Sequence, residues 1–170
     1  MPVQSHPTHR AMRAAALAST FLIFAASVAL AQATAPFARL AGQWTGSGNI
    51  ELANGTREPI RCRAAYDFLE EQRNLQLNIR CASDSYNFDL RGSATYSAGA
   101  ITGVWSESTR NIAGTLSGKA DDGHFQVLAE SSAFAATLTL ITHGNRQSVS
   151  IKSQDKQSSV KGASISLRRS

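Results

Sequence analysis

From residue 43 onward the chain alternates polar and apolar residues in short runs, with turn-forming residues about every ten positions. A period of two belongs to β-strands, because successive side chains point to opposite faces of a pleated backbone. No stretch of this region keeps the 3.6-residue period of a helix. The alternation predicts ten strands, at about 43–52, 57–68, 73–83, 86–96, 100–107, 110–119, 124–131, 134–142, 147–153 and 160–169.

Register is constrained as well, since a slip of one residue moves every side chain to the other face. Folding the second and third strands about Glu71–Gln72 sets Phe68 opposite Leu75, Tyr66 opposite Leu77, Ala64 opposite Ile79 and Cys62 opposite Cys81. Directly opposed residues have Cα atoms ~4.5–5.5 Å apart, within reach of a disulfide. Turns at Asp84-Ser85, Ala98-Gly99, Ser132-Ala133 and Gly144-Asn145 continue the same apolar face. Three further hairpins are expected to set Trp44 opposite Tyr66, Trp105 opposite Ile112, and Gly118 opposite Phe125. A continuous antiparallel meander of this kind closes most economically into an up-and-down β-barrel of about 8–10 strands, which removes its edges. A two-sheet sandwich is the alternative. The outward positions, among them Thr45, Ser47, Asn49, Arg61, Gln76, Asn78, Asp89 and Arg91, are polar and form no lipid-facing band.

The first thirty-one residues read differently. Arg10 and Arg13 precede an apolar run from Ala14 to Ala29, and small residues at Ala29 and Ala31 suit cleavage before Gln32, with a second site at Ala31-Gln32-Ala33. The run is short for a membrane span, which needs ~20 residues. The expected organisation is a signal peptide at 1–31, an extended segment at 32–40 and a barrel domain at 41–170, in a periplasmic or secreted protein. Loss of the leader leaves fifteen basic and twelve acidic residues, a net charge of +3 with no basic run, which argues against nucleic acid as a partner. An even pair of cysteines in a small exported domain is most simply a disulfide, Cys62–Cys81.

Leu40-Ala41-Gly42-Gln43-Trp44-Thr45-Gly46-Ser47-Gly48 resembles the first strand of calycin-type barrels. It is similar to the Gly-x-Trp of lipocalins and the Gly-x-Trp-x-Gly-x-Gly of nitrobindin-like haem barrels. The lipocalin resemblance implies structural roles for Gly42 and Trp44, with an arginine of the last strand packed over the indole. Arg169 has the right parity, and Arg168 is the second choice. The nitrobindin-like resemblance implies an inward histidine late in the chain, but parity turns His143 and His124 outward, so a haem cofactor is disfavoured and none is expected. The Thr-Asp-Tyr-like second lipocalin motif is absent. The same opening residues with one cysteine pair also resemble periplasmic metalloprotease inhibitors.

Trp44, Tyr66, Phe88, Trp105, Phe125 and Leu138 share the inner face with small residues such as Gly46, Gly48, Gly92, Gly103, Gly114 and Gly118. Small inward residues either let the large ones interdigitate or leave a cavity for one small ligand. The expected function is therefore to bind or carry a small apolar molecule, with those six large residues as its lining. The rival is a surface-acting inhibitor or adaptor with a filled core, using the 32–40 segment on a protein partner. Outside, Arg61, Arg63 and Arg80 form a candidate anion site, weighed against an ordinary solvated face with Asp89 beside Arg80. No nucleophile shares a face with a histidine and a carboxylate, and no spacing suits a metal, so neither catalysis nor a metal site is expected.

Overall fold

The computed structural model describes Met1 and residues 36–69 and 73–170. Beyond Met1, the leader expected at 1–31 lies outside the described residues. A 3₁₀ turn, Pro36–Leu40, is followed by ten strands: β1 Gly42–Leu52, β2 Arg57–Leu69, β3 Asn74–Ala82, β4 Asn87–Ser97, β5 Ala100–Glu107, β6 Ile112–Asp121, β7 His124–Glu130, β8 Ala135–His143, β9 Arg146–Ser153 and β10 Val160–Arg169. Each strand pairs antiparallel with its neighbours in sequence, and β10 pairs with β1, so the sheet is a closed barrel. Every sheet edge is thereby satisfied.

The cysteines are directly opposed on β2 and β3 and form a disulfide with Cα atoms 4.1 Å apart. Five hairpins carry the registers expected from the alternation. Three differ by two residues: Trp44 faces Ala64, Trp105 faces Gly114, and Phe125 faces Ala120. A shift of two preserves the face, so the apolar pattern is equally satisfied and the turn decides. Between β6 and β7 the turn centres on Asp122 and Gly123, whose φ angles of 37° and 83° suit an Asp-Gly hairpin.

Five inward glycines cluster at two places half a circuit apart. A Cβ on Gly46 or Gly48 of β1 would overlap backbone carbonyl oxygens of β10, and one on Gly103, Gly114 or Gly118 of β5 and β6 would overlap those of adjoining β4 or β7. These glycines thus mark close backbone approach at two strongly coiled corners, as glycine does in barrels generally. At Gly114 the missing side chain also makes room for Trp105, whose indole nitrogen would lie 3.0 Å from a Cβ there.

The segment before β1 is not extended over its described part. Pro36 begins the 3₁₀ turn, where its missing N–H is no loss. Phe37 and Leu40 are buried, and Phe37 stacks on Phe125 with centroids 6.0 Å apart and meets Tyr96 edge-on. The turn plugs one end of the barrel.

Candidate functional site

The plugged end is packed and hydrogen-bonded throughout. Trp44 is fully buried, and its indole N–H donates to the Leu40 carbonyl at 2.7 Å. Arg169 lies over the indole face, with its guanidinium carbon 4.4 Å from the ring centroid, and donates to the carbonyls of Ala41 and Arg39. One cation therefore covers the tryptophan and satisfies carbonyls at the end of the 3₁₀ turn. Gly42 passes beneath that guanidinium with φ of 100°, a conformation open to glycine. Deeper in, the Tyr66 hydroxyl on β2 donates to Gln147 Oε1 on β9 at 3.2 Å, and Gln147 Nε2 donates to Thr142 Oγ1 on β8 at 3.3 Å. All three side chains are buried, and burial pushes the Tyr66 phenol well above its ordinary range.

Toward the opposite end burial of the inward side chains is uneven. Ile50, Ile60, Trp105 and Ala136 are buried, while Leu77, Ile79, Phe88, Leu90, Leu116 and Leu138 are only half-buried. Barrel diameter grows with strand number, so ten strands enclose more interior than eight, and these six side chains are incompletely covered by protein.

The six residues expected to line an interior pocket differ in burial. Phe88 and Leu138 are half-buried. Trp44, Tyr66, Trp105 and Phe125 are buried, at 0, 4, 6 and 4% exposed. Trp44 and Phe125 belong to the plug and its neighbours, and Tyr66 to the buried polar chain. Trp105 lies against Gly114, donates to the Thr115 carbonyl at 3.1 Å, and is met edge-on by Phe134. The sequence missed Leu77, Ile79, Leu90 and Leu116, although their parity was available.

Two acidic residues at the open end are held by turns. Glu107, 5% exposed, accepts from the backbone N–H groups of Asp89, Thr109 and Arg110 and from the Thr109 hydroxyl. Burial pushes its carboxyl up, but these hydrogen bonds outweigh it and bring the pKa down to about 2. Arg110 pairs with Glu107 at 3.5 Å and lies over Phe88, 4.8 Å from its centroid, so this pair is part of the rim and not a loose surface contact. Glu58 accepts from the Ser85 N–H at 2.6 Å, and hydrogen bonds from Ser83 and Ser85 hold its carboxyl below the usual range.

On the outer wall, Arg61, Arg63 and Arg80 are exposed, and Arg80 pairs with Asp89 at 3.2 Å. The described histidines, His124 and His143, are exposed on that wall too, so neither offers a haem ligand to the interior. Among the described residues no group of three His, Cys, Asp or Glu side chains is placed to hold a metal, and no helix is long and apolar enough to cross a membrane. Two grooves, of about 640 and 660 Å³, also lie mainly on the outer wall.

No family model matches the chain, and no curated protein matches it. Solved structures do. Rv2717c from M. tuberculosis superposes with a TM-score of 0.63 at 11% identity, covering 78% of this chain and 93% of that one. The S-type phycobiliprotein lyase CPES from Guillardia theta superposes with a TM-score of 0.57 at 14% identity, covering 79% and 90%. Both are calycin-like barrels. The likeness is one of fold.

Proposed function

We propose that the barrel binds or carries a small apolar molecule in its interior, entering from the end opposite the 3₁₀ plug. The observation that carries this reading is the exposure pattern: inward-facing Leu77, Ile79, Leu90, Leu116 and Leu138 are only half-buried, while Phe37, Trp44 and Thr142 at the plugged end are fully buried. An apolar concavity of this kind gains from exchanging its water for an apolar ligand. The lipocalin-like opening and the calycin-like neighbours support a binding barrel, and one neighbour is by name a lyase acting on phycobiliproteins. The buried polar groups favour binding over catalysis, since Glu58 and Glu107 serve turns and Tyr66, Gln147 and Thr142 serve one another. The adaptor reading loses its main element, because Phe37 and Leu40 of the 32–40 segment face the barrel and not a partner. Export through the leader fits the disulfide, which persists in oxidising compartments. The polar outer wall fits a barrel surrounded by water, not lipid.

Native mass spectrometry of protein purified without denaturation tests the reading. A small apolar adduct that is lost on unfolding is the expected result. A bare chain that also takes up no added apolar probe would remove the proposal.

A further inference from the structure

Closing the barrel places β8, β9, β10 and β1 side by side, and their register aligns outward residues in rows. One row runs Thr45, Arg168, Arg146, His143, each the cross-strand partner of the next. The adjoining row runs Ser47, Ser166, Ser148, Ile141. All eight side chains are exposed, and they border one groove of about 640 Å³ with Gly46 at its base.

Two arginines and a histidine abreast are an unusual choice. Like charges directly opposed on neighbouring strands repel, and sheets ordinarily relieve this with an acid nearby. The wall formed by β2, β3 and β4 does so: Arg63 faces Arg80, and Arg80 faces and pairs with Asp89. Among the described residues, none of His143, Arg146 and Arg168 is in an ion pair. The next row inward is Asn49, Ser164, Ser150 and Thr139, again without a carboxylate. The acid on this part of β1, Glu51, stands a further row away and is matched by Arg57 at 3.9 Å. Positive charge therefore stands beside a row of hydroxyl donors, in a groove, with no ion-pair partner among the described residues. Guanidinium forks match tetrahedral oxyanions bidentately, and serine hydroxyls add donors to the remaining oxygens.

We propose that this outer groove binds a phosphate or sulfate ester group, with Arg146 and Arg168 as its principal ligands and His143, Ser148 and Ser166 completing the contact. The site is separate from the barrel interior and does not depend on what the interior carries.

Titration of the labelled protein with inorganic phosphate, followed by amide and side-chain NMR shifts, tests it. Saturable shifts centred on Arg146, Arg168 and Ser148 are expected. Arg146→Gln and Arg168→Gln should each weaken binding about tenfold, the usual scale for losing a charged hydrogen-bond partner. Arg91→Gln, on β4 and away from this row, should leave it unchanged. All three positions are exposed, so unchanged melting temperatures will separate lost binding from lost folding. A second arm uses vesicles of phosphatidylcholine with and without phosphatidylglycerol. Binding to the anionic vesicles alone, lost in Arg168→Gln, would identify a lipid headgroup as the source of the ester; a response to free phosphate alone would identify a soluble one. No saturable response in either arm, or equal weakening by Arg91→Gln, would overturn the proposal.

Discussion

The two ends of this barrel are made from the same ten strands with the same alternation, yet only one is covered by a 3₁₀ turn. At the plugged end Trp44 is shielded by Arg169, Phe37 stacks on Phe125, and Tyr66, Gln147 and Thr142 satisfy one another in full burial. At the other end the rim is fixed by Glu58 and Glu107 holding turns, while the leucines beneath it stay half-exposed. A 3₁₀ turn covers one end of the barrel, and half-buried apolar side chains remain toward the other. The lesson is that the proposed binding rests on leaving one end uncovered, not on the small residues of the inner face, most of whose glycines serve the corners.

The contrast is open to breaking, beginning at the plugged end, where substitutions should cost most. Trp44→Ala should lower unfolding free energy by ~3–5 kcal/mol in denaturant titrations, as large-to-small changes in closed cores do. A cost comparable to that of a half-exposed leucine would show that this end is not closed. The disulfide lies between the two regions, with Cys62 buried and Cys81 half-buried. Cys62→Ala should cost roughly 3 kcal/mol for a loop of this length on the chain-entropy account. Wild type that melts equally with and without reductant would refute that stabilisation.

The rim should report through pH. Glu107 has its pKa lowered to about 2 from 4.5, so its contribution is complete above pH 4.5 and is lost as pH falls toward 2. Glu107→Gln should therefore flatten the acid side of the stability curve within that window. A slope identical to wild type would show that the turn hydrogen bonds do not favour the ionised form. The smallest loss is expected inside the open end, where Leu138→Ala should cost roughly 1–2 kcal/mol, below the usual range for a packed leucine. A cost of core size would mean that the interior is filled there.

Much of the fold was legible in the sequence because a period of two specifies which face a residue takes, and closure of a meander follows from the need to satisfy edges. In three of the eight hairpins expected from the alternation, the register was legible only modulo two. Trp105 paired with Gly114 and Trp105 paired with Ile112 bury the same face, and the choice falls to a turn organised by the Glu107 carboxylate, which strand periodicity does not encode. The candidate site suffered from a related gap. Parity says that Trp44, Phe125 and Leu138 point inward, but not how far each lies from a plug made by Pro36–Leu40, a segment read as extended. The row of Arg146, Arg168 and His143 was hidden for another reason: it exists only once the registers of β10 with β1 and β9, and of β9 with β8, are known.

The central claim is that the open end offers an apolar interior to a ligand. Fluorescence titration with Nile red, a neutral apolar dye with no affinity for the cation row, tests it directly on wild type and on Leu138→Trp. The account predicts saturable binding to wild type and marked loss in Leu138→Trp at an unchanged melting temperature, since the larger side chain occupies the space. Absence of binding to wild type, or equal binding to both, would contradict it.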